Sequence, residues 1–128
     1  MNNIFKLSKP DDWICKVIDL APGHGFLTVE LTNSEETSKL RFSYVDYFSG
    51  WTAWKGADFR IGTENEYMNA IHQVAPRYKL ISQSDLLEMH PFDTSKLYIC
   101  RTVNGDQIYI IAGAGMIVDS GENILLHI

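Results

Sequence analysis

The chain has 128 residues, of which 45% are hydrophobic and 21% charged, a globular composition far from that of disordered chains. Its net charge of -5 lacks the basic footprint of a nucleic-acid binder and suits a basic protein partner. No apolar run is long enough for a transmembrane helix, and the first residues have no signal-peptide core, so the reading is a cytoplasmic chain without membrane contact, folded as one domain over residues 1–128.

Residues 13–20 mix apolar side chains on both faces, as a strand covered on both sides would. Ala21, Pro22, Gly23, His24 and Gly25 make a turn, and residues 26–32 alternate Leu27, Val29 and Leu31 against Thr28 and Glu30. The polar residues 33–38 lead to a third strand at 39–45, where Leu40, Phe42 and Tyr44 share a face, completing an antiparallel meander. Thr63, Glu64, Asn65 and Glu66 match a capping box, and Tyr67, Met68, Ile71, Val74 and Ala75 form a stripe at helical spacing, so a helix is predicted over 63–75 and stopped by Pro76. Its Ile71 and Val74 are expected to meet Leu40, Phe42 and Tyr44.

Residues 77–82 suggest a short edge strand and 84–89 a short helix ended before Pro91. Asn104-Gly105 between two apolar runs signals a two-residue type I' hairpin, which would set Arg101 opposite Ile108, Cys100 opposite Tyr109 and Ile99 opposite Ile110. The small residues Gly113, Ala114 and Gly115 suggest a bend or bulge, followed by strands at 116–119 and 123–128. The sum is an α+β fold in which a curved antiparallel sheet of about six to seven strands, in two meanders, packs on one main helix.

Seven of the fifteen aromatic residues lie within residues 42–59. From Asp46 onward alternation fails and Gly50 and Gly56 interrupt, so 46–59 reads as a loop carrying Tyr47, Phe48, Trp51, Trp54 and Phe59. These rings either plug the core or present a recognition surface, since Trp and Tyr are favoured anchors at interfaces. On the second reading Tyr47, Phe48, Trp51 and Trp54, with Lys55 and Asp58, form the binding site.

No motif spells out a reaction, a cofactor or a metal site. His24, His72, His90 and His127 are scattered, and Cys15 and Cys100 sit within strand-like runs, as buried reduced thiols do. The small size and acidic charge resemble those of the immunity proteins that neutralise bacterial toxins. That resemblance implies an immunity- or antitoxin-type module binding a basic protein through an acidic surface and the aromatic loop. The alternative is a ligand-binding protein or enzyme whose pocket lies between the sheet and the 46–59 loop, lined by Tyr47, Trp51 and Trp54, with His24 or His72 as its polar group. Exposed rings and edge strands are also compatible with a homo-oligomer.

Overall fold

The computed structural model describes residues 3–20, 25–74, 95–119 and 124–128. After a 3-10 turn at Pro10–Asp12 come the strands β1 (Ile14–Leu20), β2 (Gly25–Thr32), β3 (Thr37–Val45), β4 (Tyr47–Ser49), β5 (Ala53–Lys55) and β6 (Asp58–Ile61). Helix α1 (Glu64–Val74) follows, then β7 (Lys96–Arg101), β8 (Gln107–Ala112), β9 (Ala114–Val118) and β10 (Ile124–His127). The strands build a six-stranded sheet in the order β10-β9-β3-β2-β1-β5 and a four-stranded sheet in the order β4-β8-β7-β6. The fold is α+β and mostly antiparallel, but the ten strands of the described residues lie in two sheets where one sheet of six or seven was expected. The predicted edge strand at 77–82, the short helix at 84–89, and the turn residues 21–24 and 120–122 lie outside the described residues.

The two sheets face each other across one core. From the six-stranded sheet it takes Cys15, Leu27, Val29, Leu31, Leu40, Phe42 and Ile117; from the four-stranded sheet it takes Phe59, Tyr98, Cys100, Ile108, Ile110 and Ala112. Phe42 packs edge-on against Tyr98 with ring centroids 5.0 Å apart, and Phe5, from the segment before β1, makes edge contacts with both Phe42 and Phe59. Each such ring, fully buried, contributes roughly 1.5–3 kcal/mol. β1 is covered on one face only, with Cys15 inside while Ile14, Lys16 and Ile18 face solvent, which corrects the expectation of two covered faces. Tyr44 departs from the expected face as well. Its φ is +53° at a slip in the β2–β3 register, so it is exposed and Val45 takes the buried place.

β7 and β8 are the strands buried on both sides, which explains their near-continuous apolar runs. Tyr98, Cys100, Ile108 and Ile110 point to the inter-sheet core, whereas Leu97, Ile99 and Ile111 form a second cluster with Tyr67, Met68, Ala70 and Ile71 of α1. The helix therefore packs on the outer face of the four-stranded sheet, and Ile71 meets Leu97, Ile99 and Ile111, not Leu40 and Phe42. Its start is as predicted: the Glu66 amide donates to Thr63 Oγ1 at 3.2 Å and the Thr63 amide donates to the Glu66 carboxylate at 2.8 Å. Arg60 on β6 binds that same carboxylate through both of its terminal nitrogens, at 2.8 and 2.7 Å, so the cap also ties the helix to the sheet edge.

The β7–β8 hairpin is one residue out of the expected register, pairing Arg101 with Gln107, Cys100 with Ile108 and Ile99 with Tyr109. The loop is three residues long, not two. The Thr102 amide donates to the Asp106 carbonyl and the Gly105 amide to the Thr102 carbonyl, and the positive φ of +88° falls on Gly105 alone. That is a type I turn followed by a left-handed glycine, a geometry Asn-Gly serves as well as type I'. Because one step of register exchanges the two faces, the slip is what puts Cys100 and Ile108 together in the core.

Candidate functional site

Residues 46–59, expected as a loop, hold three short strands on three sheet edges. β4 lies beside β8 at one edge of the four-stranded sheet, β5 beside β1 at an edge of the six-stranded sheet, and β6 beside β7 at the far edge of the four-stranded sheet. The chain thus crosses between the sheets twice within this segment. Strands of three or four residues are too short to show alternation, which is why the sequence conceals them.

This crossing separates the six expected site residues. Tyr47 and Phe48 are half-buried on β4, Tyr47 packed on the helix-side cluster and Phe48 on the inter-sheet core. Asp58, on β6, is buried and pairs across strands with Arg101, its Oδ2 lying 3.3 Å from the guanidinium. Phe59 is wholly enclosed. Only Trp51, Trp54 and Lys55 come together, at β5.

Strand parity divides these three. In β5 the Trp54 side chain points inward and is 8% exposed, whereas Ala53 and Lys55 point outward. The Trp54 indole N–H donates to the Gly56 carbonyl at 2.9 Å, and the Cys15 and Cys100 thiols donate to that same oxygen at 3.5 and 3.4 Å. Two cysteines far apart in sequence, one from each sheet, thereby meet at one carbonyl. Burial pushes both thiols well above the usual range, Cys100 to about 12, so neither is an activated nucleophile.

Trp51 has the outward parity. The Thr52 carbonyl accepts from the Val17 amide, which sets Trp51 level with Ile18, and the outer face of this edge runs through Ile14 beside Lys55, Lys16 beside Ala53, and Ile18 near Trp51. Trp51 is 63% exposed. Behind it, the Val103 amide donates to the Lys55 carbonyl and brings the β7–β8 loop against β5. Between the two lies a groove of about 230 Å³ lined by Trp51, Trp54 and Lys55 on one side and Thr102, Asn104 and Asp106 on the other.

The polar groups of this groove are unengaged. Among the described residues, the Lys55 ammonium, the Asn104 amide and the Asp106 carboxylate have no hydrogen-bond or ion-pair partner. Thr102 is 6% exposed and its hydroxyl is buried without a partner. A buried hydroxyl in that state costs roughly 1–3 kcal/mol. Sequence reasoning missed Thr102, Asn104 and Asp106. Asn104-Gly105 marked a surface loop, but nothing in the sequence says that the loop lies against β5.

Among the described residues no group of three or more His, Cys, Asp and Glu is placed to hold a metal. His72 lies in the last turn of α1 and His127 at β10, and neither lines the groove, while His24 and His90 lie outside the described residues. No helix among the described residues is long and apolar enough to cross a membrane. Compared with protein-family models, with curated proteins and with solved structures, the chain matches none of them.

Proposed function

We propose that the chain is a non-catalytic recognition module that binds a basic protein partner across the β1–β5 edge, with Trp51 as the anchor. The observation that carries this reading is the indole of Trp51, 63% exposed on a face that also presents Ile14 and Ile18. Rigid rings set among apolar neighbours are the usual anchors of protein interfaces. The charge of -5 supports a basic partner through faster encounter, and Asp11, Asp12 and Asp106 are exposed acidic residues whose segments adjoin β5. Lys16 and Lys55 interrupt that acidity on the face itself and restrict which partner fits. An immunity- or antitoxin-type protein is the narrower form of the reading, supported by size and charge.

The test is affinity capture with the wild-type chain and with Trp51→Ala, at low and at high salt. The expected result is a basic protein retained by the wild type, released by salt and lost with Trp51→Ala. Capture that is indifferent to Trp51 overturns the reading. A second reading, a small-ligand site, is favoured by the unengaged polar groups between β5 and residues 102–106. Its pocket differs from the one expected, since the β7–β8 loop supplies the far wall and, among the described residues, neither Tyr47 nor a histidine lines it.

A further inference from the structure

The groove beside Trp51 has a chemical signature narrower than that of a general docking surface. Its apolar elements are the exposed Trp51 indole with Ala53 and the mostly enclosed Trp54 beside it, and its polar elements are a cation, an anion, an amide and a hydroxyl, contributed by Lys55, Asp106, Asn104 and Thr102. Each of these four groups lacks a partner among the described residues. Its volume, about 230 Å³, falls below the range of pockets that hold drug-sized ligands and suits a single ring.

We infer that this groove is a saccharide subsite that takes one neutral pyranose ring, an inference that rests on the small-ligand reading. A pyranose presents a face of C–H groups, weakly positive, to an aromatic ring whose face is negative, and an exposed indole is the best such platform. Around its rim each hydroxyl both donates and accepts, so it can serve Asp106, which only accepts, Lys55, which only donates, and Asn104, which does both. A guanidinium or a quaternary ammonium would also stack on Trp51 and be drawn by Asp106, but it offers no acceptor to the Lys55 ammonium, which repels it. A phosphate-bearing ligand would find one cation opposed by Asp106 in a chain of charge -5. A neutral polyol ring uses every group present and repels none.

Thr102 adds to this. It lines the groove while its hydroxyl is enclosed and unpaired. Rotation about one side-chain bond redirects that hydroxyl, and a ligand hydroxyl arriving at the floor would supply the bond it lacks.

The experiment is saturation-transfer NMR on the full chain with a panel of methyl pyranosides, and with glycine betaine and N-acetyl-arginine amide as non-saccharide probes. The expected result is transfer to at least one pyranoside, strongest on the C–H protons of one face, with weak affinity typical of a single ring. Trp51→Ala should weaken binding by about tenfold or more, and Trp51→Phe should weaken it less, since the smaller ring still stacks. Asp106→Asn, at an exposed loop where folding is not at stake, should weaken binding while leaving the far-ultraviolet spectrum unchanged. Binding of betaine or the arginine amide, sensitive to Trp51→Ala and without any pyranoside binding, overturns the saccharide inference and leaves the ligand site standing. Failure of every probe to bind overturns both.

Discussion

Gly56 is the point where the two sheets are joined, and replacing it tests the whole arrangement around β5. Its amide donates to the Trp13 carbonyl at 2.8 Å, while its own carbonyl collects the Trp54 indole and both thiols. Its φ is +113°, and a Cβ built on it would lie 2.9 Å from the Val103 nitrogen, 3.1 Å from the Thr102 Cα and 3.2 Å from the Arg101 carbonyl oxygen. All three are backbone atoms, which cannot swing aside. Gly105 is the internal control, because its φ is +88° but nothing lies within 4 Å of its Cβ position. Alanine at positive φ costs roughly 1–2 kcal/mol, and the loss of unfolded-chain freedom returns about 0.4–1 kcal/mol, so Gly105→Ala should lose about 1 kcal/mol or less. Gly56→Ala adds overpacking worth about 1–3 kcal/mol, for a total of about 2–4 kcal/mol. In urea, where the slope for small proteins is roughly 1–3 kcal/mol per molar, the Gly56→Ala midpoint should fall about 1–2 M below the wild type, well beyond Gly105→Ala. Coincident midpoints for the two variants would refute the close approach of β5 to the β7–β8 loop and, with it, the groove.

Three further outcomes follow from the same contacts. Arg60 first, then the Thr63 amide, holds the Glu66 carboxyl down to about 2 from an ordinary 4.5. A depressed pKa stabilises the fold fully above pH 4.5 and loses that contribution as the pH falls toward 2; because the Glu66 side chain is 33% exposed, the contribution is discounted to about 1 kcal/mol. Glu66→Gln should flatten the acid limb of a stability profile by that amount, and an unchanged limb would contradict the cap. At the alkaline end the sign reverses: burial raises Cys100 to about 12 from 9.0 and Tyr98 to about 12 from 10.0, so the unfolded chain deprotonates first. Stability should be complete below pH 9 and decline toward pH 12, less steeply in Cys100→Ala, as read from denaturant midpoints. Acrylamide should quench Trp51, which is 63% exposed, and spare Trp13 and Trp54, at 2% and 8%, so Trp51→Phe should abolish most quenching.

The features legible in the sequence are those set by neighbours along the chain. The capping box of Thr63 and Glu66, the meander through Thr32 and Thr37 and the burial of both cysteines depend on spacing and polarity within a few residues. What stayed hidden depends on which face meets which. The stripe of α1 fits any apolar sheet face, and the sequence does not say that β7 and β8 carry two such faces while β1 carries one. Asn104-Gly105 fits two turn geometries, and the choice was made by the Thr102–Asp106 pairing, which carries Cys100 to the core side. For the candidate site, Trp51, Trp54 and Lys55 were legible as a group, but Asp58 is spent on Arg101, and the opposing wall comes from residues some fifty positions away in the chain.

The exposure of Trp51 must be weighed against what the fold itself requires. Trp54 has to face inward, because its indole bond to Gly56 helps hold the carbonyl on which the two sheets converge. With Trp54 inside, a strand of period two turns Lys55 and Ala53 outward, and the chain leaves β5 with Trp51 on that same side. A shift of one residue would enclose Trp51 only by driving Trp54 into solvent, forfeiting the burial of one large ring, roughly 1.5–3 kcal/mol, for the burial of another. Exposure of this ring is therefore a consequence of strand parity, and parity alone argues for no ligand. Parity does not, however, gather Lys55, Asn104, Asp106 and an enclosed Thr102 hydroxyl around the ring and leave all four without partners among the described residues. The Thr102 hydroxyl carries a cost that an occupant of the groove would relieve.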